Sequence, residues 1–90
     1  MQIYELTARF DRAKSFYGKA HIIETPQTVT LRSYETDILK YNKRTKKITF
    51  LCRDTWAFSQ TTNRHINEFL KQYTNERTLS KAEILKRAGA

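Results

Sequence analysis

Residues 40 to 47 read KYNKRTKK, and five of the eight are basic: Lys40, Lys43, Arg44, Lys46 and Lys47. Cations crowded into one short turn repel each other in the free chain. A phosphate backbone relieves that repulsion and releases its own condensed counterions. Over residues 40–53, with Arg53 included, six basic side chains meet no acid. This stretch therefore carries +6 of a formal net charge of +8. The pattern predicts a polyanion-binding surface in which Lys43, Arg44, Lys46 and Lys47 neutralise phosphates and Lys40, Arg53 and Arg32 extend the patch. The plainer alternative is a solvated turn that discourages aggregation.

A second polar cluster, Thr61, Thr62, Arg64 and His65, falls within one helical turn. It reads in two ways. Thr61, Arg64 and His65 form an exposed recognition edge, or Thr62 caps or packs while Arg64 and His65 tie the helix to strand ends. Other chemistry is sparse. His21 and His65 lie far apart and are not read as metal ligands; His65 is expected at the surface. Cys52 alternates with Phe50 and Ile48 and reads as a core thiol. A single cysteine excludes an intrachain disulfide and a multi-cysteine zinc site. There is no glycine-rich phosphate loop, no nucleophile elbow and no suggested carboxylate pair. Trp56 and Phe58 read as core; an exposed one would offer a base a stacking surface. The inventory predicts a non-enzymatic binding protein without metal or cofactor.

The elements that carry these residues follow from period and punctuation. Ninety residues make one domain. No apolar run approaches the ~18 residues of a membrane span. The opening MQIYELTARF alternates and lacks a signal-peptide core, so a cytoplasmic setting is expected. Tyr4, Leu6, Ala8 and Phe10 alternate with polar residues as a first strand. Residues 19–25 make a second, Pro26-Gln27 a turn, and 28–33 a third. Tyr34-Glu35 permits a tight reversal into a fourth strand ending at Tyr41. NKRTK turns the chain into a fifth, with Ile48, Phe50 and Cys52 on one side. Five short strands in series predict an antiparallel meander.

The period then changes. Thr62, Ile66, Phe69, Leu70 and Tyr73 follow helical spacing, so a helix over about 60–74 packs its stripe on the sheet. Ser59 or Thr61 is placed to cap it. Arg64, Asn67, Glu68, Lys71 and Asn75 are expected to point outward. Residues 79–90 read as a short helix with a Ser80–Glu83 capping box, a Leu79–Ile84 staple and a stop at Gly89. A helix this short does not stand alone in water, so it is expected to dock on the 1–78 domain. The predicted class is α+β.

The stretch from Ser59 to Gln72, S-x-T-T-x-R-H-I-x-E-F-L-x-Q, together with FYGKA at 16–20 and TLRSYET at 30–36, resembles a family of small proteins. They occur in phages and other mobile elements of Gram-positive bacteria and carry a domain of unknown function. The resemblance spans roughly residues 15–75. It implies no activity, cofactor or binding residues, but it does imply a setting inside a bacterial cell. Such proteins often have a glycine in the turn that is NKRTKK in this chain. Three functions fit: nucleic-acid binding through the basic hairpin, a counter-defence inhibitor of the anti-CRISPR type acting on a host protein or ribonucleoprotein, and a homodimer joined at a sheet edge.

Overall fold

The computed structural model describes residues 1–10, 16, 18–51, 60–74 and 79–89. Five strands run in series: β1 (Gln2–Glu5), β2 (Ala20–Glu24), β3 (Thr28–Ser33), β4 (Thr36–Asn42) and β5 (Ile48–Phe50). Each pairs antiparallel with the next, in the spatial order β1-β2-β3-β4-β5. Two helices follow, α1 (Gln60–Tyr73) and α2 (Lys81–Gly89). The architecture is the α+β meander that the strand and helix periods predict.

The turns hold because their residues suit them. At Pro26-Gln27 the Thr25 amide donates to the Thr28 carbonyl at 2.9 Å, and the Thr28 amide donates back to Thr25 Oγ1 at 2.9 Å. Proline presets the backbone for the first corner position. At Tyr34-Glu35, Ser33 pairs directly with Thr36, so only two residues make the reversal. Tyr34 takes a φ of 57°, in the left-handed region.

Alternation gives the sheet two faces. Ile22, Val29, Leu31 and Leu39 are buried on one face, where they join Ile66, Phe69 and Leu70 of α1 in a single core. Between β3 and β4 the register shifts. Leu31 faces Leu39, but Arg32 faces Asp37, so Ile38 is an extra residue, a bulge. Ile38 and Leu39 are both buried.

Three expectations are corrected. The first strand ends at Glu5 rather than Phe10, because the chain beyond it is taken up by α1. Gln72 Nε2 donates to the Thr7 carbonyl at 2.6 Å, and the Phe10 amide donates to Glu68 Oε1 at 2.7 Å. Glu68 is therefore not outward-pointing; it is 2% exposed. Asn67 is also turned inward, onto Leu79, and is only half-exposed. The buried Glu68 carboxylate needs partners, and the Phe10 amide, which the sheet no longer serves, supplies one.

α2 docks on α1. The Asn67 amide donates to the Leu79 carbonyl at 3.0 Å and accepts from the Leu79 amide at 2.8 Å. Leu79 and Ile84 are buried in the common core. The capping box forms in both directions, with the Glu83 amide on Ser80 Oγ and the Ser80 amide on Glu83 Oε1, each at 3.2 Å. Thr61 lies inside α1 rather than at its cap. Ser59, Cys52, Trp56 and Phe58 lie outside the described residues.

Candidate nucleic-acid interface

The basic turn is built around Asn42. Its side-chain Oδ1 accepts from the Arg44 amide at 2.9 Å and the Thr45 amide at 3.1 Å. Its backbone amide donates to the Lys47 carbonyl at 2.9 Å, and its carbonyl accepts from Lys46 at 2.7 Å. Asparagine suits this corner because its short amide imitates a backbone acceptor. Lys46 has a φ of 60°, a conformation that costs a non-glycine residue roughly 1–2 kcal/mol.

The five cations of the stretch do not share one environment. Lys43 turns back onto the sheet: its Nζ donates to Glu24 Oε2 at 2.6 Å and to the Thr25 carbonyl at 3.1 Å. Arg44, Lys46 and Lys47 are exposed at the tip, and Lys40 is exposed on β4, two residues before Asn42. These four form no ion pair with any described residue within 4 Å. Arg32 does not extend the patch as a free charge. Its Nε donates to Asp37 Oδ1 at 2.7 Å, and that pairing holds its proton more firmly still. Arg53 lies outside the described residues.

Lys43 belongs instead to a chain of polar groups between sheet and helix. Tyr4 donates its hydroxyl to Glu24 Oε1 at 2.6 Å. Its single proton is then committed, so Tyr73, 3.1 Å away, donates to the Tyr4 oxygen. The Lys43 ammonium, then the Tyr4 hydroxyl, hold the Glu24 carboxyl below its usual range. Burial, then the bond to Glu24, pushes the Tyr4 phenol up. Sequence order hid this network, because Tyr4, Glu24, Lys43 and Tyr73 come from four separate elements.

The second cluster divides. Arg64 is exposed and Thr61 half-exposed, but His65 is 0% exposed, so it is neither a surface histidine nor a recognition edge. Its Nδ1 lies 2.8 Å from Ser33 Oγ, which also meets Thr62 Oγ1 at 3.1 Å. The Phe16 ring packs edge-on against the imidazole at 4.6 Å. This junction ties α1 to the end of β3. The spacing carried the signal: Thr62, His65, Ile66 and Phe69 are successive positions of one stripe.

Two clefts flank the Tyr4 network. One, of about 260 Å³, is lined by Met1, Gln2, Glu24, Thr25, Pro26 and Lys43. The other, of about 250 Å³, lies between β1 and α1 beside Arg9 and Tyr73. Both are smaller than the ~300 Å³ at which drug-sized ligand pockets begin. Among the described residues no group of His, Cys, Asp and Glu is arranged to hold a metal. Among the described residues no helix is long and apolar enough to cross a membrane. The exposed surface of the hairpin is the strongest candidate site.

The fold and its cationic tip define a small α+β protein with one helix-covered sheet face. By sequence, residues 4–86 match a family described as a family of unknown function, DUF8033, and the chain belongs to it. Comparison with curated proteins and with solved structures found no match.

Proposed function

We propose that this protein binds nucleic acid through the β4–β5 turn, with Arg44, Lys46, Lys47 and Lys40 as the phosphate contacts. The observation that carries this reading is the division of the cations. Glu24 takes up Lys43, whereas the other four stay exposed and without a carboxylate partner among the described residues. A turn needed only for solubility has no reason to keep them within one end of a sheet, where they repel each other over the ~8–10 Å screening length. A polyanion gives that arrangement a favourable counterpart.

Each phosphate neutralised on duplex DNA contributes about −0.9 to the slope of log affinity against log salt, so four contacts give roughly −3.6. The test is a fluorescence titration with DNA and RNA oligonucleotides at several salt concentrations. The native chain is compared with Lys40/Arg44/Lys46/Lys47→Ala and with Lys43→Ala, all checked for folding. The quadruple variant is expected to bind more weakly and with a shallower slope, while Lys43→Ala keeps most of the slope. Coincident slopes for the native and quadruple chains, or no binding by either, overturn the reading. The turn is then a contact for an acidic protein surface or a solubilising feature.

A further inference from the structure

We infer that the ligand is a B-form DNA duplex, seated in its major groove on the open face of β3, β4 and β5; this rests on the nucleic-acid reading above. α1 packs on the face that carries Leu31 and Ser33. By alternation the opposite face carries Thr30, Lys40 and Thr49, which the register lines up as one row across three strands. Thr28 sits beside Asn42 in the next row towards the turn. Lys40 and Thr49 are exposed, Thr28 is half-exposed, and Thr30 is buried between its neighbours.

Three properties of this surface select the ligand. Its charge is graded: the exposed cations lie at the turn end, whereas Arg32 is neutralised by Asp37 further along. A phosphate backbone is therefore drawn to the turn, and the adjoining row faces whatever lies beside that backbone. The row offers the exposed Thr49 hydroxyl, a group that hydrogen-bonds base edges, and beside it Lys40, which reaches the flanking phosphate. It carries no aromatic ring. The exposed aromatics among the described residues are Tyr4, Phe10 and Tyr34, in β1, after β1 and in the β3–β4 turn. A single strand therefore finds no stacking platform here.

Dimensions narrow the choice further. β5 is the edge of the described sheet, and β4 and β5 run about 4.8 Å apart. The row from Thr30 through Lys40 to Thr49 therefore spans about 10 Å, which fits the ~12 Å major groove of B-DNA. The major groove of A-form RNA is too deep and narrow for side chains to read.

The experiment measures the affinity of the full chain for one mixed sequence as duplex DNA, single-stranded DNA and duplex RNA at equal salt. Three variants are compared: Thr49→Glu and Lys40→Gln on the open face, and Ala82→Glu, which makes the same charge change as Thr49→Glu at an exposed position of α2. Duplex DNA is expected to bind most tightly. Thr49→Glu is expected to weaken duplex binding about tenfold, as for loss of one good base-edge contact, with little effect from Ala82→Glu. Lys40→Gln is expected to reduce the preference for duplex over single strand, and it decides the matter if Thr49→Glu unfolds. Equal affinity for the three nucleic acids, or equal losses for Thr49→Glu and Ala82→Glu, overturns the duplex inference while the phosphate-binding turn stands. No binding to any of them overturns both.

Discussion

Replacing Asn67 by alanine removes a side chain that brackets Leu79 on both backbone groups. The structure fixes what is lost: a bond of 2.8 Å from the Leu79 amide and one of 3.0 Å to its carbonyl. Each is worth about 0.5–1.5 kcal/mol net, and a buried backbone group left without a partner costs more. Leu79 is buried, so Asn67→Ala is expected to cost about 2–3 kcal/mol. For a domain of this size that is a fall in Tm of roughly 8–24 °C. Thermal unfolding gives the total, and amide exchange shows where it falls. The amides of α2 are expected to lose protection first, with β2–β4 keeping theirs, if α2 can detach by itself. Asn67→Asp keeps an acceptor for the amide but sets a carboxylate against the Leu79 carbonyl, so it is expected to rescue little. A cost below about 0.5 kcal/mol, with α2 exchange unchanged, would refute the reasoning. Burial of Leu79 and Ile84 would then be the whole attachment.

Phe69 is fully buried beneath the sheet, and Phe69→Ala is expected to cost about 3–5 kcal/mol; a Tm change of a degree or two contradicts that packing. Lys46→Gly relieves a left-handed backbone at φ 60° and is expected to stabilise by about 0.5–1 kcal/mol after glycine's own entropy cost. On the proposed function the same variant makes the salt slope shallower by about 0.9, so denaturation and binding should move in opposite directions. Glu24 is held below its usual range in the folded protein, so its contribution is full above about pH 4.3 and fades as acid titrates the folded carboxylate. The Tm of the native chain is expected to fall more steeply than that of Glu24→Gln on acidification below that pH, and parallel curves would show that the Lys43 pairing contributes nothing.

Strands and turns were legible because they depend on local chemistry. The alternation around Val29 and Leu31, the proline at 26 and the asparagine at 42 each act within a few residues. The capping box was legible for the same reason, since Ser80 and Glu83 need only each other. The fates of Glu68 and His65 were less legible, because each depends on a segment distant in sequence: Phe10 for one, Ser33 and Phe16 for the other. A glutamate between apolar stripe positions looks solvated until another chain segment covers it and brings it a backbone N–H. The site was half legible. Charge density marked the turn, but only tertiary structure shows that Glu24 takes Lys43 and Asp37 takes Arg32. The bulge did leave a trace, in the adjacent apolar pair Ile38-Leu39 that breaks the alternation of β4.

That bulge acts as a parity switch for charge. With an unbroken register, Leu31 opposite Leu39 would put Arg32 opposite Ile38 and turn Asp37 towards the helix layer. Taking up Ile38 as a bulge reverses the facing of everything before it in β4, so Asp37 arrives beside Arg32 instead. Deleting Ile38 would close the bulge, and Asp37, now next to Leu39, would still face Arg32 in an unbroken register. The acid that ends the cationic surface therefore survives loss of the bulge residue, and what the extra residue adds is a second core side chain from the same strand.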